Sequence, residues 1–137
     1  MTAIRLARLD EAAAVLALWR EAGSPPSVTD SVERVRAVIE RPDTWLLVAE
    51  AHGEPVGTLM VAFEGWRGHF YRLAVLPKWR RRGIAVELVR EGERLLKEAG
   101  AQRVAAIVLT DREPAMTFWQ AAGFERQVEA TRFTKLV

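Results

Sequence analysis

The sequence predicts an α/β fold in which a mixed, mostly antiparallel sheet carries helices on both faces. Segments with alternating apolar residues, typical of strands, are interspersed with segments whose apolar residues recur every three or four positions, typical of helices. Two neighbouring strand segments are joined by a short segment whose residues are typical of a β-hairpin turn. A later helix separates two strand segments, as in a strand–helix–strand crossover. The predicted order of elements is β-α-α-β-β-β-α-β-α-β-β.

The first half of the chain supplies three strands and two amphipathic helices. The two helices each bring apolar side chains onto one face, and prolines and glycines separate them from their neighbours. The second and third strands flank the tight turn at residues 52–55, which contains Gly53. The predicted strands are Ala3–Ala7, Thr44–Ala51 and Val56–Phe63, and the predicted helices are Glu11–Ala22 and Thr29–Glu40.

The second half of the chain supplies the crossover and the end of the sheet. Its long helix has an apolar stripe that contains Gly92, which predicts a close approach to the sheet there. The strand after that helix is continuously apolar, as is typical of a strand buried on both faces. The predicted elements are strand Phe70–Leu76, helix Gly83–Ala99, strand Val104–Leu109, helix Glu113–Ala122, and strands Glu125–Ala130 and Thr131–Val137.

Length and composition predict a single domain of the size of a small enzyme, residues 1–137, without a metal centre. The chain has no cysteine, which excludes disulfides and thiolate nucleophiles, and only two histidines, which argues against a zinc site. Charged residues interrupt the amino terminus before an apolar segment develops, so we expect a cytoplasmic protein without membrane association. The formal net charge is only +2, which does not favour nucleic acid as a partner.

Positive charge is concentrated in one turn, residues 78–82. An apolar strand ends at Pro77, the basic turn follows, and a helix starts after Gly83. Amide groups at a helix start and the helix dipole both favour an anion, and Gly83 and Ala85 leave room for a phosphate. A solvated basic turn and a nucleic-acid patch are the alternative interpretations. The candidate anion-binding residues are Arg80, Arg81, Arg82, Gly83, Ile84 and Ala85.

The sequence Arg80-x-x-Gly83-x-Ala85 after a strand resembles the coenzyme A signature of the GCN5-related N-acetyltransferase (GNAT) family, Arg/Gln-x-x-Gly-x-Gly/Ala. The order of elements is similar to that family over essentially the whole chain. The resemblance implies that loop amides hold the coenzyme's pyrophosphate. It also implies that the preceding strand, at Leu73, Ala74 and Val75, pairs with the pantetheine arm, and that acetyl-CoA is the co-substrate.

A second region, Ala115 to Phe124, is similar to the family pattern Ala-x-x-x-Tyr-x-x-x-Gly-Phe. Trp119 stands where most members have a tyrosine that can protonate the departing thiolate, and Arg112 stands where many have an asparagine near pantetheine. The indole N–H is a donor without useful acidity, so an acid role for Trp119 is excluded. Core packing and contact with the coenzyme both remain open for Trp119.

Acetyl transfer to an amine needs a group that removes a proton from the nucleophile. Family members often have a glutamate base on the fourth strand, at the position that His69 occupies here. Imidazole is a chemically suitable base at physiological pH, although an exposed histidine at a strand end is the simpler interpretation. Glu64 and Tyr71 are the nearby alternatives.

The sequence therefore predicts an acetyl-CoA-dependent N-acetyltransferase that acts on a primary amine of a small molecule or peptide by direct attack in a ternary complex. The alternative is a non-catalytic acetyl-CoA-binding module of the same fold. The resemblance allows a homodimer, because family members commonly dimerise. The sequence does not identify the acceptor.

Overall fold

The computed structural model describes residues 2–137 and contains two compact units, the first ending at Ile107 and the second spanning Val108–Val137. Two short 3-10 turns, Leu9–Glu11 and Pro77–Trp79, accompany the main elements. The strands are β1 (Ala3–Leu6), β2 (Thr44–Ala51), β3 (Glu54–Phe63), β4 (Gly68–Val75) and β5 (Val104–Ala106). The helices are α1 (Ala12–Glu21), α2 (Val32–Glu40), α3 (Ile84–Ala99) and α4 (Glu113–Ala121).

The five strands form one sheet in the order β1-β2-β3-β4-β5. The first three pairings are antiparallel and the last, between β4 and β5, is parallel. Parallel neighbours need a crossover connection, and α3 supplies it. The β2–β3 hairpin turns at His52 and Gly53, both with positive φ (53° and 81°), which matches the right-handed twist of the strands. The predicted mixed, mostly antiparallel sheet is confirmed.

Helices cover both faces of this sheet. Neighbouring residues of a strand point to opposite faces, and β3 shows where each helix lies. Thr58 accepts a hydrogen bond from Trp19 of α1, whereas Leu59 lies close to Gly92 of α3. A Cβ atom at Gly92 would come within 2.8 Å of the Phe70 ring. The close approach of α3 that the sequence predicts at Gly92 is therefore present.

The buried face under α1 contains a hydrogen-bonded polar group. Thr58 is fully buried. Its Oγ1 accepts a hydrogen bond from Trp19 Nε1 at 2.9 Å and donates one to the carbonyl oxygen of Arg72 at 2.8 Å. One hydroxyl thus links α1, β3 and β4. Since unpaired polar groups are costly in an apolar interior, these three elements are fixed relative to one another at this point.

We expect Thr58→Val to destabilise the protein although it conserves side-chain shape. The substitution leaves the Trp19 indole N–H and the Arg72 carbonyl without their partner, at a cost of about 2 kcal/mol in the free energy of unfolding. Urea unfolding should show a lower midpoint with an unchanged slope. The matched control is Thr44→Val, which removes a single bond to the Val38 carbonyl and should cost about 1 kcal/mol. Equal stabilities of Thr58→Val and the wild type would contradict this account.

Two boundaries differ clearly from the sequence prediction. The second helix begins at Val32 rather than Thr29, because Ser31 caps it by accepting a hydrogen bond from the Arg34 amide at 3.1 Å. The strand predicted for Val104–Leu109 ends at Ala106, where its pairing with β4 also ends. A continuous apolar run does not by itself determine how far two strands stay paired.

The two final strands, predicted for Glu125–Ala130 and Thr131–Val137, are absent. Residues 125–137 contain no strand in the structure, and Phe133 is 91% exposed. Alternating apolar residues favour an extended chain, but a strand also needs a neighbour that satisfies its amide and carbonyl groups. The sequence prediction of these two strands is wrong.

Candidate coenzyme and catalytic site

A β-bulge interrupts β4 in the middle of the sheet. The pairing with β3 runs from Met60–Tyr71 to Thr58–Ala74, so that Leu59 faces two residues of β4, Arg72 and Leu73. Arg72 has a φ of 55°, in the left-handed region that non-glycine residues rarely occupy. Bulges of this kind bend a strand and change the direction of the side chains that follow.

The pairing of β4 with β5 ends just before this bulge. It covers only Gly68, His69 and Phe70 of β4. From residue 71 to residue 75 the edge of β4 has no partner strand on that side among the described residues. An unpaired strand edge presents a row of N–H and C=O groups that an extended ligand with amide groups can bind. The bulge and the end of the β4–β5 pairing therefore leave this edge of β4 open to a ligand, and we call the space beside it the cleft.

The chain after β4 forms a turn that points amide groups outward. Arg81 has a φ of 62° and Gly83 a φ of 81°, and such left-handed residues curl successive amides into an anion-binding concavity. Gly83 is the N-cap of α3 and no side chain caps the helix. The first amides of α3, which have no partner inside the helix, have no side-chain partner either. The helix dipole adds partial positive charge at the same place.

The three arginines of this turn have different environments. Arg80 donates from Nε to the Val75 carbonyl at 3.0 Å and from Nη2 to the Ala22 carbonyl at 2.8 Å, which ties the turn to the ends of β4 and α1. The Arg82 guanidinium lies 4.8 Å from the centroid of the Trp79 ring. Arg81 is exposed. All three add positive charge near the amides, and Arg80 in addition holds the turn in place.

The candidate bases lie together at the start of β4. The rings of His69 and Tyr71 are stacked with their centroids 5.9 Å apart. His69 Nε2 lies 3.7 Å from the Glu64 carboxylate, which belongs to the turn between β3 and β4. The structure thus brings together the three side chains that the sequence singles out as proton acceptors.

Two backbone amides bind the Glu64 carboxylate and affect its strength as a base. Its Oε1 accepts hydrogen bonds from the amides of Arg67 at 2.7 Å and Trp66 at 3.1 Å. The bond from Arg67, with that from Trp66, lowers the pKa of the Glu64 carboxyl below its ordinary value. A carboxylate with a lowered pKa is a weaker proton acceptor. The geometry therefore favours His69 over Glu64 as the base.

Arg112 and Trp119 belong to the second compact unit. Arg112 is the residue before α4. Trp119 is buried on α4, with ring centroids 5.3 Å from Phe118 and 4.9 Å from Phe124 in edge-to-face contacts. Such contacts are typical of core packing and support that interpretation of Trp119. A contact with the coenzyme remains a prediction for both residues.

Sequence reasoning missed the partly buried polar contacts beside the bulge, which involve Arg72, Asp30 and Trp19. The one signal in the sequence was a charged residue, Arg72, within an otherwise apolar strand.

Among residues 2–137, no group of three or more His, Asp or Glu side chains is arranged to hold a metal ion. Across the same residues, every helix is too short or too polar to span a bilayer.

Comparison with known proteins agrees with this geometry. The family described as the acetyltransferase (GNAT) family matches residues 12–124. An acetyltransferase of Photorhabdus laumondii subsp. laumondii is 35% identical over 134 residues, which cover 96% of this chain and 93% of the relative.

Two solved structures share the fold. An aminoglycoside acetyltransferase from an uncultured soil metagenomic sample is 27% identical with a TM-score of 0.77, covering 100% of this chain and 99% of that one. The PaiA N-acetyltransferase of Thermoplasma acidophilum, in complex with coenzyme A, has a TM-score of 0.85 at 19% identity, covering 93% of this chain and 91% of that one. The bulged strand, the basic turn and these similarities lead to one conclusion, that the chain belongs to the acetyltransferase (GNAT) family.

Proposed function

We propose that the protein is an acetyl-CoA-dependent N-acetyltransferase, a single domain over residues 1–137, that acetylates a primary amine of a small molecule or peptide. The observation that carries the proposal is the cleft beside β4, which leads from the bulge to the uncapped start of α3. The family match spans both compact units, which supports treating them as one domain. The PaiA N-acetyltransferase, which is similar in fold, is in complex with coenzyme A, and this supports acetyl-CoA as the co-substrate.

The cleft has groups suited to each part of the coenzyme. The open edge of β4 at Leu73, Ala74 and Val75 can pair with the amides of the pantetheine arm. The amides of Gly83, Ile84 and Ala85 can hold the pyrophosphate, and Arg81 and Arg82 supply charge beside it. Arg80 supports the same turn. Arg112 and Trp119 are proposed as further contacts.

The reaction requires little more than positioning, because a bound thioester supplies an activated acetyl group. The amine nitrogen attacks the carbonyl carbon directly, and the carbon–sulfur bond breaks to release the coenzyme A thiolate. The thiolate takes up a proton from water or the proton that the amine loses. Backbone amides at the bulge of β4 can stabilise the oxyanion. His69, or a water that it orients, accepts the proton from the amine. Tyr71 is the remaining alternative as a base, and the lowered pKa of Glu64 makes it the weakest candidate.

The turn between β3 and β4, next to His69, suits a cationic amine. Glu64 is a carboxylate at neutral pH since its pKa is lowered, and the ring of Trp66 beside it is 77% exposed. A carboxylate and an aromatic face both attract an ammonium group. Small-molecule amines are the acceptors of the aminoglycoside acetyltransferases similar in structure. We also propose that the protein is cytoplasmic and that neither a nucleic acid nor a membrane is its partner. A homodimer is the assembly that we propose to examine.

Initial-rate kinetics test the proposal against the alternative, a module of the same fold that binds acetyl-CoA without turnover. We expect acetyl-CoA consumption with at least one amine from a panel of alkylamines, aromatic amines, aminoglycosides and peptides. Because direct attack requires both substrates on the enzyme, double-reciprocal plots at several amine concentrations should intersect. Parallel lines would contradict the ternary complex, and binding of acetyl-CoA without consumption would favour the module.

A further inference from the structure

The side chain of Arg72 connects the bulge of β4 to the segment between α1 and α2. Its Nη2 donates to Asp30 Oδ1 at 2.8 Å, and its guanidinium carbon lies 4.7 Å from the centroid of the Trp19 ring. The Arg72 and Asp30 side chains are only 18% and 22% exposed. Ion pairs and cation–π contacts that are shielded from water in this way are stronger than exposed ones.

Asp30 also shapes the segment to which it belongs. Its Oδ2 accepts a hydrogen bond from the Ser27 amide at 3.1 Å, and the Asp30 amide donates to the Ser27 carbonyl at 3.0 Å. The carboxylate therefore closes the turn 27–30 with one oxygen and holds it to β4 with the other. We call residues 23–31, between α1 and α2, the connecting loop.

The backbone of Arg72 is fixed from the opposite side. Its carbonyl accepts the hydrogen bond from Thr58, which also binds the Trp19 indole. With a φ of 55°, the residue keeps this conformation only because its surroundings hold it. Arg72 is therefore bonded through its backbone to the bulge and through its side chain to the connecting loop.

One donor in this arrangement is unused. Arg72 Nη1 is buried and has no hydrogen-bond partner among the described residues, so the ion pair with Asp30 engages a single nitrogen. A buried donor without a partner is unfavourable, and a small movement of the carboxylate towards a two-point contact would satisfy it. The Arg72–Asp30 pair therefore does not use all the hydrogen bonds that an arginine and a carboxylate can form.

We propose that Arg72 is a positioning residue that couples occupancy of the coenzyme cleft to the order of the connecting loop. The inference rests on the proposed function, because the ligand that fixes the edge of β4 next to Arg72 is acetyl-CoA. When that ligand pairs with Leu73–Val75, it immobilises the bulge. The Arg72–Asp30 ion pair then restricts the motion of the connecting loop, because it holds the loop to the immobilised strand. Arg72 itself contacts no substrate in this account.

Hydrogen–deuterium exchange of the full-length protein with and without acetyl-CoA tests the coupling. In the wild type, acetyl-CoA should slow the exchange of the amides in residues 27–31 by about tenfold. Arg72→Met keeps the length of the side chain and removes its charge, and should abolish this protection. Because coupling acts equally in both directions, the calorimetric affinity for acetyl-CoA should fall by no more than about tenfold. Arg72→Lys should restore part of the protection, because it keeps a donor within reach of Asp30.

Controls separate coupling from a general loss of structure. Asp30→Ala lies at the loop end of the pair and should reproduce the effect of Arg72→Met, and the double variant should add nothing to either. Arg41→Met breaks the exposed ion pair with Asp43, 2.9 Å between Nε and Oδ1, and should leave the protection intact.

Two results would overturn the inference. One is protection of residues 27–31 that persists in Arg72→Met and Asp30→Ala. The other is a wild-type protein that binds acetyl-CoA without any protection of this segment. A wild-type protein that gives no heat of binding with acetyl-CoA would instead overturn the proposed function, on which the coupling depends.

Discussion

Gly83→Val should weaken acetyl-CoA binding at least about 100-fold, the loss expected when two hydrogen bonds to charged phosphate oxygens are removed. Gly83 has a φ of 81°, which a β-branched residue adopts only under strain. A Cβ atom there would meet no atom within 4 Å, so the substitution acts through backbone conformation and not through a clash. The turn would re-form with its amides in other directions. Isothermal titration calorimetry measures the change.

The matched control lies at the other end of the same helix. Gly100 is the C-cap of α3 and has a φ of 97°, and a Cβ atom at this position would likewise meet no atom within 4 Å. Gly100→Val should lose a similar amount of thermal stability, since it strains the backbone in the same way, and should bind acetyl-CoA like the wild type. Unchanged affinity in Gly83→Val would show that the pyrophosphate does not bind at this turn.

His69→Ala should lower kcat by about 100-fold, the usual contribution of a general base. The loss should be largest near neutral pH and should shrink at high pH, where the amine is already unprotonated and no longer depends on a proton acceptor. The KM for acetyl-CoA should change little, because His69 lies before the bulge and outside the open edge of β4. The pH–rate profile of kcat/KM for the amine checks this expectation.

Two neighbouring substitutions serve as controls for His69. Glu64→Gln should change kcat less than His69→Ala, since the lowered pKa of Glu64 makes its carboxylate a poor proton acceptor. Tyr71→Phe keeps the ring that stacks on His69 and removes only the hydroxyl. An unchanged pH–rate profile in His69→Ala, together with a loss in Tyr71→Phe, would assign the base to Tyr71.

Features that depend on short segments could be predicted from the sequence. The helix α3, its glycine ends and the basic turn before it follow from residues that are close together in the chain, and Gly92 marks the close approach to Phe70 correctly. The hairpin at His52–Gly53 is equally local. The start of α2 is a less reliable feature, because the cap is Ser31 and the helix begins after it, three residues later than the sequence predicts.

Features that depend on distant contacts could not be predicted. The bulge at Arg72 arises from the register of β4 against β3, and it is held by Thr58 and Trp19, which belong to other elements of the fold. The last two predicted strands failed for a related reason. Their alternation is a property of residues 125–137, whereas a strand requires a partner elsewhere in the chain.

The central claim is that acetyl-CoA binds along the open edge of β4 and at the start of α3. The most direct measurement is a titration of ¹⁵N-labelled protein with acetyl-CoA, followed by the chemical shifts of its backbone amides. The largest changes should occur at Leu73–Val75 and Gly83–Ala85. Changes confined to other parts of the chain, such as the pocket lined by Leu6 and Ile39, with none at these two segments, would contradict this binding site.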